Sequence, residues 1–183
     1  MTLANRITMV RLVLVPVLAA LILSYTRELQ WVRIAAVVLY IVAAVSDALD
    51  GFVARAYDQK TRFGTVLDPL ADKLMINVVF VFLAVNTEFR VFVPAWFPVI
   101  ILGRDAIIVL GAYLINEYFG PLRVRPRILG KLTTVFQMSA IAAVLLELPP
   151  AHPLIWATLI ISVVSFFDYM YAGIKQIGNE DHA

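Results

Sequence analysis

Six runs of mostly apolar residues, near 7–24, 31–56, 68–86, 94–117, 128–147 and 152–174, take up most of a 183-residue chain. A helix that crosses a bilayer needs about 20 such residues, so each run is long enough for one passage. The breaks between them are too short to hold a second domain. This spacing predicts an all-α polytopic membrane protein of six transmembrane helices, a single domain over 1–183, with a short N-terminal interfacial segment. Composition removes the alternatives. The chain is 62% hydrophobic and 15% charged, whereas soluble domains have about 45–50% and 25%. A chain of this size cannot bury that excess behind a water-soluble surface, and 11% aromatic residues exclude a disordered chain. Turn and stop signals fall in the breaks: Thr26 to Gln30, Tyr57 to Gly64, Asn86 to Arg90, Asn116 to Pro126, and Pro149–Pro150. Arg6 and Arg11 ahead of the first run could also mark a signal peptide. A first helix that stays in the membrane explains the same residues, with Asn5 to Arg11 at the headgroups.

The absence of cysteine rules out disulfides, thiolate metal sites and a cysteine nucleophile together, leaving oxygen and nitrogen groups for any chemistry. A net charge of +2 is too small to imply nucleic-acid binding; the placement of charges says more. Arg6, Arg11, Arg55, Lys60, Arg62, Arg123, Arg125, Arg127, Lys131 and Lys175 lie at the two ends of the chain and around breaks two and four. Breaks one, three and five have only Arg27, Arg33 and Arg90. By the positive-inside rule both termini and breaks two and four face the cytoplasm.

Five of the thirteen acidic residues fall between Asp47 and Asp72, although a charge inside an apolar span costs at least about 2.5 kcal/mol. Asp47 and Asp50 are three apart and Asp68 and Asp72 four apart, so each pair projects from one helix face. Span two descends into break two and span three leaves it, so antiparallel packing of the two would gather four carboxylates into one pocket. Such carboxylates repel one another unless a cation sits among them. All-oxygen donors select Mg²⁺, Mn²⁺ or Ca²⁺, and four can hold two metals about 3.5–4 Å apart, as in phosphoryl transfer. Gly51 and Ala54 leave room beside Asp50 for close approach, and Arg55 can meet a phosphate. A structural reading also exists: Asp68 before Pro69 has the form of an N-cap and first-turn proline, and Asp72–Lys73 could be a buried pair. Helix capping does not call for two facing acidic pairs with glycine and arginine at fixed offsets.

Asp47, Asp50, Gly51, Ala54, Arg55, Gly64, Asp68 and Asp72 match every position of D-x2-D-G-x2-A-R-x8-G-x3-D-x3-D, and in this the chain resembles the CDP-alcohol phosphotransferase family. The likeness extends to Asn5 to Pro16, the six spans, and Arg125-Pro-x-x-x-Gly130-Lys131-x-x-Thr134. It implies a six-helix membrane enzyme, usually a homodimer, that transfers a phosphatidyl group from CDP-diacylglycerol to an alcohol and releases CMP at the cytoplasmic face of the inner membrane. It also implies two divalent ions, Mg²⁺ or Mn²⁺, held by Asp47, Asp50, Asp68 and Asp72, with Asp72 as catalytic base. Asp47, Gly51, Ala54, Arg55 and Gly64 would form the CDP-binding site.

A second basic group, Arg123, Arg125, Arg127 and Lys131, lies around break four on the same side. It fits either positive-inside topology or an anionic acceptor. Arg104 and Asp105 fall inside span four; they could pair structurally, but an intramembrane arginine is a functional candidate by default, and Arg104 joins Arg123, Arg125, Arg127 and Lys131 as an expected acceptor-binding residue. Thr61-Arg62-Phe63-Gly64 and Gly130-Lys131 followed by Thr133-Thr134-Val-Phe-Gln137-Met resemble the glycerophosphate phosphatidyltransferases of the family. Leu132 and Gly103-Arg104-Asp105 look more like its cardiolipin synthases, which use phosphatidylglycerol. Both acceptors contain glycerol. A cation transporter is the alternative from another class, but transport sites lie near the midplane on broken helices, and this cluster lies at one face beside basic residues. Trp31, Trp96 and Trp156 fit interfacial anchors at the outer ends of their spans, while Glu147 and Asp168, near span ends, are expected to be solvated.

Overall fold

A computed structural model of the chain describes the backbone of residues 3–56, 64–118 and 127–180, and the side chains of 13–46, 73–118 and 127–175. The described chain forms the helices α1 (Leu3–Ser24), α2 (Gln30–Ala56), α3 (Gly64–Val85), α4 (Trp96–Tyr118), α5 (Ile128–Leu145) and α6 (Ala151–Glu180). Each expected span coincides with one helix, the main differences being that α3 starts at Gly64 and α6 continues to Glu180. The fold is all-α. Among the described residues, Trp96–Tyr118, Ile128–Leu145 and Ala151–Lys175 are long and apolar enough to cross a membrane; the apolar stretches Val13–Ser24, Gln30–Ser46 and Lys73–Val85 are shorter.

The outer surface suits lipid. Val99, Val109, Ile160 and Phe167 are each at least 60% exposed, and a water-facing protein does not present so much contiguous apolar surface. The core is threaded by α1, α3, α4 and α5 through Leu18, Ile22, Val79, Phe80, Phe97, Ile101, Ile141 and Val144, all essentially buried. Phe80 meets Phe97 edge to face at a ring separation of 5.0 Å. The described portions of α2 and α3, expected as direct neighbours, are bridged by α1 and α5, each of which packs on both. Small residues on α2, Ala36 and Ala43, are buried and let a neighbouring helix come close. On α6 the buried positions Thr158, Ser162 and Ser165 are small and polar, as interfaces between helices in lipid favour. Thr158 Oγ1 donates to the Leu154 carbonyl at 2.7 Å.

The turns after α1, α3 and α5 meet at one end of the bundle. The Asn86 amide donates to the Ile22 carbonyl at 2.6 Å and to the Tyr25 carbonyl at 2.9 Å, satisfying acceptors that the end of α1 leaves open. Tyr25 stacks on Phe89 at 4.5 Å. At this same end Trp31, Trp96 and Trp156 are exposed, with Trp96 and Trp156 5.7 Å apart, in keeping with interfacial anchors. Glu147 is not solvated as expected. Its side chain is 10% exposed and its carboxylate lies 2.9 Å from Arg33 Nη1, because the α5–α6 turn points it inward under the α1–α2 connection.

Candidate active site

The eight signature positions lie on two helices. Asp47, Asp50, Gly51, Ala54 and Arg55 belong to the last turns of α2, and Gly64, Asp68 and Asp72 to the first turns of α3. Helical backbone at both places keeps Asp47 with Asp50, and Asp68 with Asp72, on one face of each helix. The side chains of all eight lie outside the described residues, as do Arg123 and Arg125 altogether. Among the described residues no group of three or more histidines or carboxylates could hold a metal. The N-cap alternative for Asp68 does not hold, because α3 begins at Gly64. Asp68 is thus inside the helix, and Pro69 removes only one early backbone bond from it.

Immediately after Asp72, Lys73 begins the described part of α3 and enters a buried charge cluster. Its Nζ lies 2.6 Å from Asp105 Oδ1, a pairing between helices; the Asp72 side of the pairing considered from the sequence lies outside the described residues. The same Oδ1 accepts from Arg104 Nη1 at 2.6 Å. Arg104 Nη2 donates to Ser165 Oγ at 2.7 Å, and Arg104 and Asp105 are both more than nine-tenths buried. Two cations thus share one carboxylate, an arrangement stable in lipid only because every pair is short and the hydroxyl of Ser165 takes up a further donor. Arg104 Nε is buried without a partner among the described residues. Of the two roles expected for Arg104, the paired one is present.

Arg127 sits at the N-cap of α5 in extended conformation, φ −97 and ψ 145, with no side-chain capping bond. Its guanidinium forms an ion pair with Asp168, so Asp168 is not simply solvated. Ser165 and Asp168 are three apart on α6 and share one face, and through them α6 holds both Arg104 and Arg127. Lys131, one turn into α5, is exposed. Gly130 beside it lies close against α6: a Cβ there would stand 2.6 Å from Tyr169 Oη. Thr133 and Thr134 return their hydroxyls to the carbonyls of Leu129 and Gly130, which leaves neither as a donor to a ligand. Sequence reasoning missed Ser165 and Asp168. The available signal was the α6 run Thr158, Ser162, Ser165, a polar stripe at helical spacing inside an apolar span.

Comparison with known proteins adds an independent finding. A model of the CDP-alcohol phosphatidyltransferase family matches residues 1–167. The CDP-diacylglycerol–glycerol-3-phosphate 3-phosphatidyltransferase of Bacillus subtilis is 31% identical, covering 91% of this chain and 92% of the relative. The protein of the same name from Aquifex aeolicus is 33% identical over 98% of this chain and all of its own length. A human cardiolipin synthase (CMP-forming) is 29% identical over 78% of this chain and 49% of its own.

Proposed function

Given that the chain belongs to the CDP-alcohol phosphatidyltransferase family, we propose that it transfers the phosphatidyl group of CDP-diacylglycerol to glycerol 3-phosphate, giving phosphatidylglycerophosphate and CMP. The observation that carries this reading is the complete signature on α2 and α3 in a chain similar along its whole length to bacterial enzymes named for that reaction. An acceptor hydroxyl oxygen bonds to the lipid-bearing phosphorus, the bond from that phosphorus to the CMP oxygen breaks, and CMP leaves with its electron pair. Asp72 takes the proton of the attacking hydroxyl. Asp47, Asp50, Asp68 and Asp72 offer only carboxylate oxygens, a donor set that fits two Mg²⁺ or Mn²⁺ ions. When bound, such ions neutralise the diphosphate and stabilise the leaving group.

Gly51, Ala54 and Gly64 leave room for the cytidine diphosphate, and Arg55 offers it paired donors. Arg123, Arg125, Arg127 and Lys131 receive the acceptor phosphate, Arg127 by releasing Asp168. Arg104 is engaged with Asp105 and Ser165 and mainly holds Asp105 and Lys73 beside the Asp72 turn. Six membrane spans, a homodimer, and both termini with the site on the cytoplasmic face of the inner membrane complete the proposal; the charge distribution supports the orientation.

A second reading, phosphatidylglycerol as acceptor, is favoured by Leu132, Gly103-Arg104-Asp105 and the cardiolipin synthase relative. The test offers purified protein CDP-diacylglycerol and Mn²⁺ with glycerol 3-phosphate, phosphatidylglycerol, inositol phosphate or serine, and measures CMP. Release with glycerol 3-phosphate that stops in chelator is expected. Release with phosphatidylglycerol alone would replace the first reading by the second, and no CMP with any acceptor would remove both.

A further inference from the structure

At the end of the bundle away from the signature there is a polar cavity of about 460 Å³, lined by Tyr25, Gln30, Glu147 and three arginines, Arg27, Arg33 and Arg90. The arginines come from the α1–α2 connection, the start of α2 and the α3–α4 connection, so Arg90 meets the nearby pair Arg27 and Arg33 only in the fold. Glu147 alone among the lining residues carries negative charge, and its oxygens are already occupied. One accepts from the Tyr25 hydroxyl at 3.2 Å and the Arg90 backbone N–H at 3.4 Å; the other faces Arg33 at 2.9 Å and Arg90 at 3.7 Å. Burial pushes the Tyr25 hydroxyl above its ordinary range, which keeps it a donor to that carboxylate. Arg27 reaches Glu88, outside the cavity lining, with its Nε 3.2 Å from the carbonyl and 4.0 Å from the carboxylate.

Three guanidinium groups carry five N–H donors each, far more than one filled carboxylate can take. Arg33 Nε is buried with no partner among the described residues. With Glu88 counted against Arg27, the group has one positive charge in excess and donors still to be satisfied around a space that admits a phosphate ester. A purely structural clamp would not need the open volume. Leu146 of the lining, and Leu29, Trp31 and Leu148 next in sequence to lining residues, are each more than 40% exposed, and exposed tryptophan marks headgroup level in a bilayer.

We propose that this cavity binds the phosphate of an anionic phospholipid headgroup, with Arg27, Arg33 and Arg90 as its donors and these exposed apolar side chains against the acyl chains. Glu147 sets the distance between Arg33 and Arg90 and prevents their mutual repulsion from opening the site. The backbone is arranged for this. The N–H of Leu148 bonds to the Ala143 carbonyl and that of Glu147 to Val144, a Schellman ending in which Glu147 takes the left-handed position, φ 53, that usually belongs to glycine. A strained glutamate there is consistent with a side chain that has a task.

The test uses the full chain in uncharged detergent, titrated separately with dihexanoylphosphatidylglycerol, dihexanoylphosphatidylcholine and sodium phosphate, with bound lipid counted by native mass spectrometry and melting temperature followed. Phosphatidylglycerol should bind saturably and raise the melting temperature, and phosphatidylcholine should do neither. In the double variant Arg27→Gln/Arg90→Gln, whose side chains are 68% and 79% exposed, phosphatidylglycerol affinity should fall about tenfold or more, with CMP release unchanged. A response to sodium phosphate equal to that for phosphatidylglycerol, lost in the same variant, would support the phosphate site and assign it a soluble ligand. Equal phosphatidylglycerol affinity in wild type and variant would overturn the proposal. Should the double variant unfold, Arg27→Gln alone decides, with about threefold weaker binding expected and unchanged binding overturning it.

Discussion

The two ends of this bundle both concentrate charge, but they assemble it differently. On the α2–α3 side the charges are encoded locally: Asp47 with Asp50, Asp68 with Asp72, Lys73 beside them, each placed by helical spacing along 27 residues of sequence. At the far end Tyr25, Arg33, Arg90 and Glu147 converge from three connections, and no short pattern links them. The first arrangement is what a repeated reaction demands, since helices hold groups in fixed register. The second is what holds separate turns together, and it forms only after the helices have packed.

The sharpest way to break the comparison is Asp72→Asn. If the signature side holds the chemistry, CMP release should fall about a thousandfold, with melting temperature and circular dichroism little changed; full activity would remove Asp72 from the proposed role. Next in size is Asp105→Asn, which leaves Lys73 and Arg104 beside each other without their shared carboxylate. Loss of a partner from a buried pair costs about 3 kcal/mol, and thermal unfolding in detergent should show it. Restoration by Lys73→Met in the Asp105→Asn background would identify repulsion as the cause, because the remaining Arg104 still has Ser165 and the new amide.

Much of this was legible in the sequence and some of it was not, for physical reasons. Helix positions followed from apolar runs whose length is set by the fold itself, and the signature could be read because a helix turns three- and four-residue spacing into proximity. How α2 and α3 meet is a different kind of inference, since adjacency in sequence does not fix which helices lie beside them; over the described residues α1 and α5 each pack on both. The pairing of Lys73 with Asp105 was not legible, because Asp105 comes from α4, 32 residues further along the chain. Glu147 and Asp168 looked solvated because polar residues near span ends usually are. Arg33 and Arg127 reach them from helices remote in sequence.

Smaller effects sharpen the far end. Glu147→Gln keeps the shape but turns one acceptor oxygen into an N–H donor facing other donors and leaves Arg33 and Arg90 without a counter-charge, and should lower stability by about 1–2 kcal/mol, with no change in the Michaelis constant for CDP-diacylglycerol. A parallel change in that constant would mean the two ends are coupled. Smallest is the backbone term at the same residue. Glu147→Gly should be more stable than Glu147→Ala by about 1 kcal/mol, because only glycine relaxes at φ 53, and equal melting temperatures would show that the turn is not strained.

The Asn86 amide that closes the end of α1 has a consequence for how the protein is made. It donates to the Ile22 and Tyr25 carbonyls across 64 and 61 residues of sequence. At translation rates of about 5–20 residues per second, Asn86 is synthesised roughly 3–12 seconds after Tyr25. Until then the final carbonyls of α1 have only water or lipid headgroups to satisfy them, and the helix pair α1–α2 waits with its last turn unlatched. Arrival of the third helix secures the first, so early assembly in the membrane is an event of three helices and not of the hairpin that emerges first.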